Sequence, residues 1–186
     1  LANLPQTENV QEIKTCLDEI VNSVDYANKI VSDLQDYARP LMPKIEDADL
    51  TNITQSVIST VKVPPTITIH QPIPEDLPKL KIDQLYMRRI LQNLTINAVQ
   101  AMPNGGELTI AADVKDDKAL IIVEDTGDGI PEEVRGRLFT PLFTTKSKGQ
   151  GFGLAVTRRL IEALGGTISF ESQVGKGTIF QIELPL

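Results

Sequence analysis

Nine residues near the start of the chain, Val10, Ile13, Leu17, Ile20, Val24, Ala27, Val31, Leu34 and Ala38, follow one another at alternating spacings of three and four. Mostly polar residues fill the positions between them. Apolar side chains repeating every 3.5 residues make a narrow seam suited to a helical partner, so the spacing predicts a long helix packed in a coiled coil or bundle. The plainer alternative is an amphipathic helix lying on its own domain. Arg39-Pro40 stops the helix, because proline cannot continue the hydrogen-bond ladder. Residues 41–49 then read as a linker, leaving 50–186 as the folded domain and 1–40 as a helical appendage.

At 186 residues and 41% apolar content the chain can bury one core plus that appendage. Its formal net charge of -7 argues against a nucleic-acid or anionic-lipid surface, so any anion bound here must be held by local groups. One cysteine (Cys16) and one histidine (His70) allow neither an internal disulfide nor a zinc cluster, which fits a reducing, cytoplasmic setting. No apolar run reaches membrane-spanning length, so the anchor of a membrane-bound parent would lie elsewhere.

After the linker the patterns alternate. Leu50 to Val61 reads as a short helix and Thr66 to Gln71 as a strand. Asp83 is placed to cap a helix running to about Met102, where Pro103 and Asn104-Gly105-Gly106 turn the chain. Strands are predicted from Glu107 to Val114 and from Ala119 to Glu124, then a helix from Gly151 to Leu164. A closing hairpin pairs Thr167 to Ser172 with Thr178 to Leu184. This order suggests an α+β sandwich, with helices over one face of a mostly antiparallel sheet.

Three clusters carry chemistry. On the helix after Asp83, Asn93, Asn97 and Gln100 share one face, while Ile90, Leu91, Leu94 and Ala98 occupy others. Such amides either bond neighbouring loops or lend side-chain oxygens to Mg²⁺, which needs few protein ligands. Next, Asp125 ends a strand and precedes Gly127 and Gly129, so its carboxylate could accept from an adenine amine while the glycines admit the flat base. An Asp with two glycines is also an ordinary turn. Finally, Gly149, Gly151 and Gly153 precede an apolar-periodic helix, an arrangement that offers amide donors to phosphate, or else a simple hinge. Lys146 and Lys148 stand just upstream and supply local positive charge.

Taken together, Asn93-Leu94-x-x-Asn97-Ala98, Asp125-x-Gly127-x-Gly129-Ile130-Pro131, Phe139-Thr140-Pro141-Leu142-Phe143-Thr144-Thr145-Lys146, Gly149-x-Gly151-x-Gly153-Leu154 and Gly175-x-Gly177-Thr178 resemble the N, G1, F, G2 and G3 boxes of sensor histidine kinases. Five boxes in order are far more specific than a lone glycine motif. The resemblance runs from about Leu50 to the end. Asn97-Ala98-x-Gln100-Ala101-Met102 and Phe143-Thr144-Thr145-Lys146 are similar to the nitrogen-regulatory subgroup. Thr140, where these kinases often have Glu, and Gln150 and Phe152 in the G2 box depart from the pattern.

The resemblance implies the GHKL, or Bergerat, two-layer sandwich with ATP and Mg²⁺ as cofactors. Asn97 would be the principal Mg²⁺ ligand with Asn93 assisting, Asp125 the adenine reader, and Gly127 and Gly129 the platform for the base. Lys146, Gly151 and Gly153 would serve the phosphates as part of a lid, and Thr178 would support the Asp125 end. The same boxes put Gln100, Ile130, Phe143, Gly149, Phe152 and Leu154 along the nucleotide, with Asn93, Asn97 and Lys146 as the groups aiding transfer. The heptad helix, ending in Asp36-Tyr37-Ala38-Arg39-Pro40, resembles the second helix of the family's dimerisation hairpin, with residues 1–7 as the inter-helix loop. Implied partners are ATP or ADP, a second copy joined through the hairpin, and the receiver domain of a response regulator. No His-acidic phosphoacceptor motif occurs, and His70, in an alternating strand pattern, is expected to be an edge residue with a structural role. The rival readings are a GHKL ATPase, a serine kinase of the anti-sigma kind, and a nucleotide-sensing module without turnover.

Overall fold

The computed structural model describes residues 6–144 and 151–186, which divide into two compact units, Leu1–Arg39 and Pro40–Leu186. The first contains α1 (Gln6–Ala38). Ile13, Leu17, Ile20, Val24, Val31 and Leu34 of the heptad series are each 51–59% exposed, a continuous apolar stripe along the helix. No helix among the described residues is long and apolar enough to cross a membrane.

The second unit holds β1 (Glu46–Ala48), α2 (Leu50–Thr60), β2 (Ile67–His70), β3 (Leu80–Ile82), α3 (Gln84–Ala101), β4 (Gly106–Lys115), β5 (Lys118–Asp125), α4 (Glu132–Arg135), α5 (Gly153–Ala163), β6 (Thr167–Gln173) and β7 (Gly177–Pro185). Five strands form one sheet in the order β2-β4-β5-β7-β6; β2 runs parallel to β4 and every other pairing is antiparallel. Alternation sends Leu108, Ile110 and Ala112 of β4, Ala119, Ile121 and Val123 of β5, and Phe180, Ile182 and Leu184 of β7 to one buried face. Against it lie Leu50, Ile53 and Val57 of α2, Met87, Ile90, Leu91, Leu94 and Ala98 of α3, and Ala155, Leu160 and Ile161 of α5. The result is the α+β sandwich expected from the sequence.

Local chemistry fixes the elements. Asp83 caps α3 as expected: its Oδ1 accepts from the backbone N–H of Leu85 (2.9 Å) and Tyr86 (3.1 Å), satisfying donors that the helix leaves open. Its Oδ2 accepts from the Lys44 N–H at 2.8 Å, which ties the segment before α2 to the start of α3. Asp116 and Asp117 take φ of 51° and 57°, the paired positive values of a two-residue turn that matches strand twist. His70 lies on the edge strand β2, its Nε2 3.7 Å from a Glu107 carboxylate oxygen, in the exposed edge position expected.

Several details differ from the sequence reading. Residues 46–48, within the predicted linker, pair as β1 with β3 in a separate two-stranded ribbon. Lys81 Nζ lies 2.6 Å from Asp47 Oδ1 across this ribbon, and that hydrogen bond holds the Asp47 carboxyl below its ordinary pKa. The short α4 has no counterpart in the sequence reading. Helix α5 begins at Gly153 rather than Gly151, because Gly151 has φ of +71°, outside helical space, and a side chain there would meet the Leu142 carbonyl carbon at 2.5 Å.

Candidate functional site

One end of the candidate site is assembled around Asp125, the last residue of β5, which is only 6% exposed. Its Oδ1 accepts from the Gly127 N–H at 2.9 Å, folding the loop back under the carboxylate. Gly127 runs so close to the end of α3 that a β-carbon would sit 2.5 Å from the Ala101 carbonyl oxygen, and the Asp128 N–H donates to that same oxygen at 3.0 Å. Gly129, at φ +71°, presses on the Gln173 carbonyl, while the Gly175 N–H donates to Asp128 O at 2.8 Å. Thr178 pairs with Asp125 in the β5–β7 register, so the two side chains emerge side by side on the buried face.

Two residues that the sequence did not single out hold this loop. Ser172 Oγ accepts from the Ile130 N–H at 2.8 Å, donates to Gly177 O at 2.9 Å and lies 3.0 Å from Thr178 Oγ1. Arg135 bridges the same two segments, Nε to Ile130 O at 3.2 Å and a terminal nitrogen to Ser172 O at 2.7 Å. Gly177, at φ +115°, lets β7 begin directly against the Asp125 carbonyl.

At the other end, α3 meets the start of α5. Asn93 Nδ2 donates to Gly153 O at 3.2 Å and to Thr157 Oγ1 at 3.4 Å, leaving Oδ1 as the acceptor of that amide. Thr157, wholly buried, is a third residue that sequence reasoning missed. Asn97, one turn on, is half-buried, while Gln100 is exposed. Two neutral amide oxygens one turn apart suit a cation that keeps most of its shell as water and phosphate oxygen, so this pair fits Mg²⁺. Among the described residues no cluster of His, Cys, Asp and Glu offers an alternative metal site.

The glycine segment is only partly in view. Gly151 is described, but Lys146 and Gly149 lie outside the described residues, as do Lys148 and Gln150. Phe152 is 1% exposed, so its ring anchors the start of α5 in the core and any share in ligand binding falls to its backbone. Leu154 is half-buried on the first turn of α5. Phe143 is engaged by the Arg137 guanidinium 4.4 Å above its ring.

A buried carboxylate at a strand end, a glycine loop packed on a helix terminus and an Asn-bearing helix are the features of a nucleotide-binding sandwich. The family model described as histidine kinase-, DNA gyrase B-, and HSP90-like ATPase matches residues 82–186, and the chain belongs to that family. Its relatives include sensor histidine kinases, and this is a GHKL catalytic domain of the histidine-kinase kind. The sensor histidine kinase ZraS of Escherichia coli (strain K12) is 32% identical over 170 residues, covering 90% of this chain and 37% of ZraS. The chain thus spans little more than a third of that relative. Full-length ShkA, crystallised with AMPPNP, superposes with a TM-score of 0.79 at 26% identity, covering 94% of this chain and 39% of ShkA. ThkA in complex with the response regulator TrrA shares the fold, with a TM-score of 0.77 at 24% identity over 99% of this chain and 53% of that one.

Proposed function

We propose that this chain is the ATP-binding catalytic part of a sensor histidine kinase, which passes the γ-phosphoryl group of ATP to a histidine on a helical hairpin for relay to an aspartate of a response regulator receiver domain. The observation that carries the reading is the pairing of buried Asp125 at one end of the site with two asparagines, rather than a carboxylate, on the helix face at the other. Asp125 accepts from the adenine amine; Gly127 and Gly129 bring backbone against the base. Asn97 and Asn93 hold Mg²⁺, which when bound neutralises phosphate charge. The amides of Gly151 and Gly153 take negative charge at the start of α5, where the helix dipole favours an anion, and Lys146 and Gly149 are assigned to the phosphates by the family resemblance. Titration with ATP should give saturable binding heat in the presence of Mg²⁺ and much weaker binding after chelation. Equal affinity with and without Mg²⁺ would remove the asparagines from their role.

A second copy of the chain covers the α1 stripe, in the manner of the dimerisation hairpin that its sequence resembles, because side chains spaced for a helical partner stand more than half exposed. Sedimentation should show concentration-dependent self-association that Leu17→Asp abolishes. A parent protein that stays monomeric at every concentration would refute the dimer. Exposed Cys16 and the demand for ATP suit the cytoplasm as the working compartment.

A further inference from the structure

The Asn93 amide meets two acceptors on one helix. Its Nδ2 donates to Gly153 O at 3.2 Å and to Thr157 Oγ1 at 3.4 Å, the first residue of α5 and the residue one turn further on. The two acceptors differ in what they permit. A backbone carbonyl can only accept, so Gly153 O excludes the flipped amide, in which Oδ1 would face it. A threonine hydroxyl can serve either end of an amide, and with the sense already set by Gly153 it accepts. Thr157 is 0% exposed, so bulk water does not compete for that lone pair.

One hydrogen bond settles which end of the amide faces α5 but leaves its plane free to swing, because the terminal torsion of an Asn side chain is broad. A second bond, one turn along the same helix, fixes the plane and with it the direction of Oδ1. We infer that Thr157 is a positioning residue for the cation: it holds the amide protons of Asn93, which would repel Mg²⁺, on α5 and leaves Oδ1 presented in one fixed direction. This rests on the reading of Asn93 and Asn97 as the Mg²⁺ ligands. Both acceptors belong to the first turn of α5, so the cation ligand is set in the same frame as the Gly151 and Gly153 amides proposed for the phosphates. Valine has the shape of threonine without the hydroxyl, so it would keep the packing of α5 and lose the second bond.

The test measures ATP affinity by calorimetry with Mg²⁺ and after chelation, and reads the ratio of the two, for the parent chain, Thr157→Val, Thr157→Ser and Asn93→Ala, with melting curves to confirm folding. Thr157→Val should lower the Mg²⁺ enhancement by about fivefold, the scale of one neutral hydrogen bond, and leave the affinity without Mg²⁺ unchanged. Thr157→Ser, which keeps the hydroxyl, should hold the parental ratio. In the Asn93→Ala chain, adding Thr157→Val should change the ratio no further, because the residue acts only through that amide. Thr157→Ala takes the place of the valine variant if that one fails to fold. A purely structural role would weaken binding equally with and without Mg²⁺, and an unmoved ratio in Thr157→Val overturns the proposal while the Mg²⁺ role of the asparagines stands. So does a further loss in the Asn93→Ala chain. A parent that binds ATP equally well with and without Mg²⁺ overturns the proposal together with the reading on which it rests.

Discussion

ATP hydrolysis by this chain is expected to stay near the uncatalysed background while phosphate passes readily to the histidine of an added hairpin helix. Activating water requires a base, and a positioned general base is typically worth about a hundred- to ten-thousand-fold. Residue 93, on the helix face proposed to meet Mg-ATP, is a neutral Asn whose amide donates to a backbone carbonyl and a threonine hydroxyl. None of these groups can remove a proton from water at neutral pH. A neutral imidazole needs no such help, because it attacks through its own lone pair. The measurement is parallel: inorganic phosphate release by the chain alone, and acid-labile phosphate on the added helix. His70→Gln should change neither rate, since His70 pairs with Glu107 on the edge strand. Rapid phosphate release without transfer would move the chain to the ATPase branch of its family.

Replacing Asp125 by Asn should weaken ATP binding by about 10- to 100-fold with little change in melting temperature. The side chain keeps its volume, and its one oxygen can still accept from the Gly127 N–H that Asp125 Oδ1 now holds. The amide then turns two donors toward the exocyclic amine, so that donor meets donor. Hydrogen bonds to a charged group contribute about 1.5–3 kcal/mol, which sets the expected factor. Calorimetry with ATP checks it. Parental affinity in the Asp125→Asn variant would show that the base is read elsewhere.

The parts of the fold that follow a local rule were legible in the sequence. Asp83 announces the start of α3, the Asp116-Asp117 pair turns a hairpin, and the alternation in β4, β5 and β7 marks the core face. The β1–β3 ribbon was not, because three residues are too few to display a period and its pairing joins segments far apart in the chain. The candidate site divides in the same way. Asn93, Asn97, Asp125 and the glycines could be proposed from the sequence because they fall in boxes resembling those of sensor histidine kinases. Ser172 and Arg135 could not, because their partners lie up to 42 residues away and a serine in a strand carries no signal of its own. Thr157 was hidden by its place on the apolar face of α5.

Helix α3 carries the asparagine pair on one side and, on the others, Met87, Ile90, Leu91 and Leu94, each 0–1% exposed. The helix proposed to hold the cation is therefore also the central beam of the hydrophobic layer. Its two duties draw on the same backbone, so sequence drift on the apolar side is read out as displacement on the polar side: trimming Leu94 would reposition the amides as well as loosen the core. The loop that follows Asp125 is tied to the same helix, since the Asp128 N–H donates to Ala101 O at 3.0 Å, as well as to Ser172 of β6. Variation among related chains can thus change either end of the candidate site only in concert with the helix that both of them rest on.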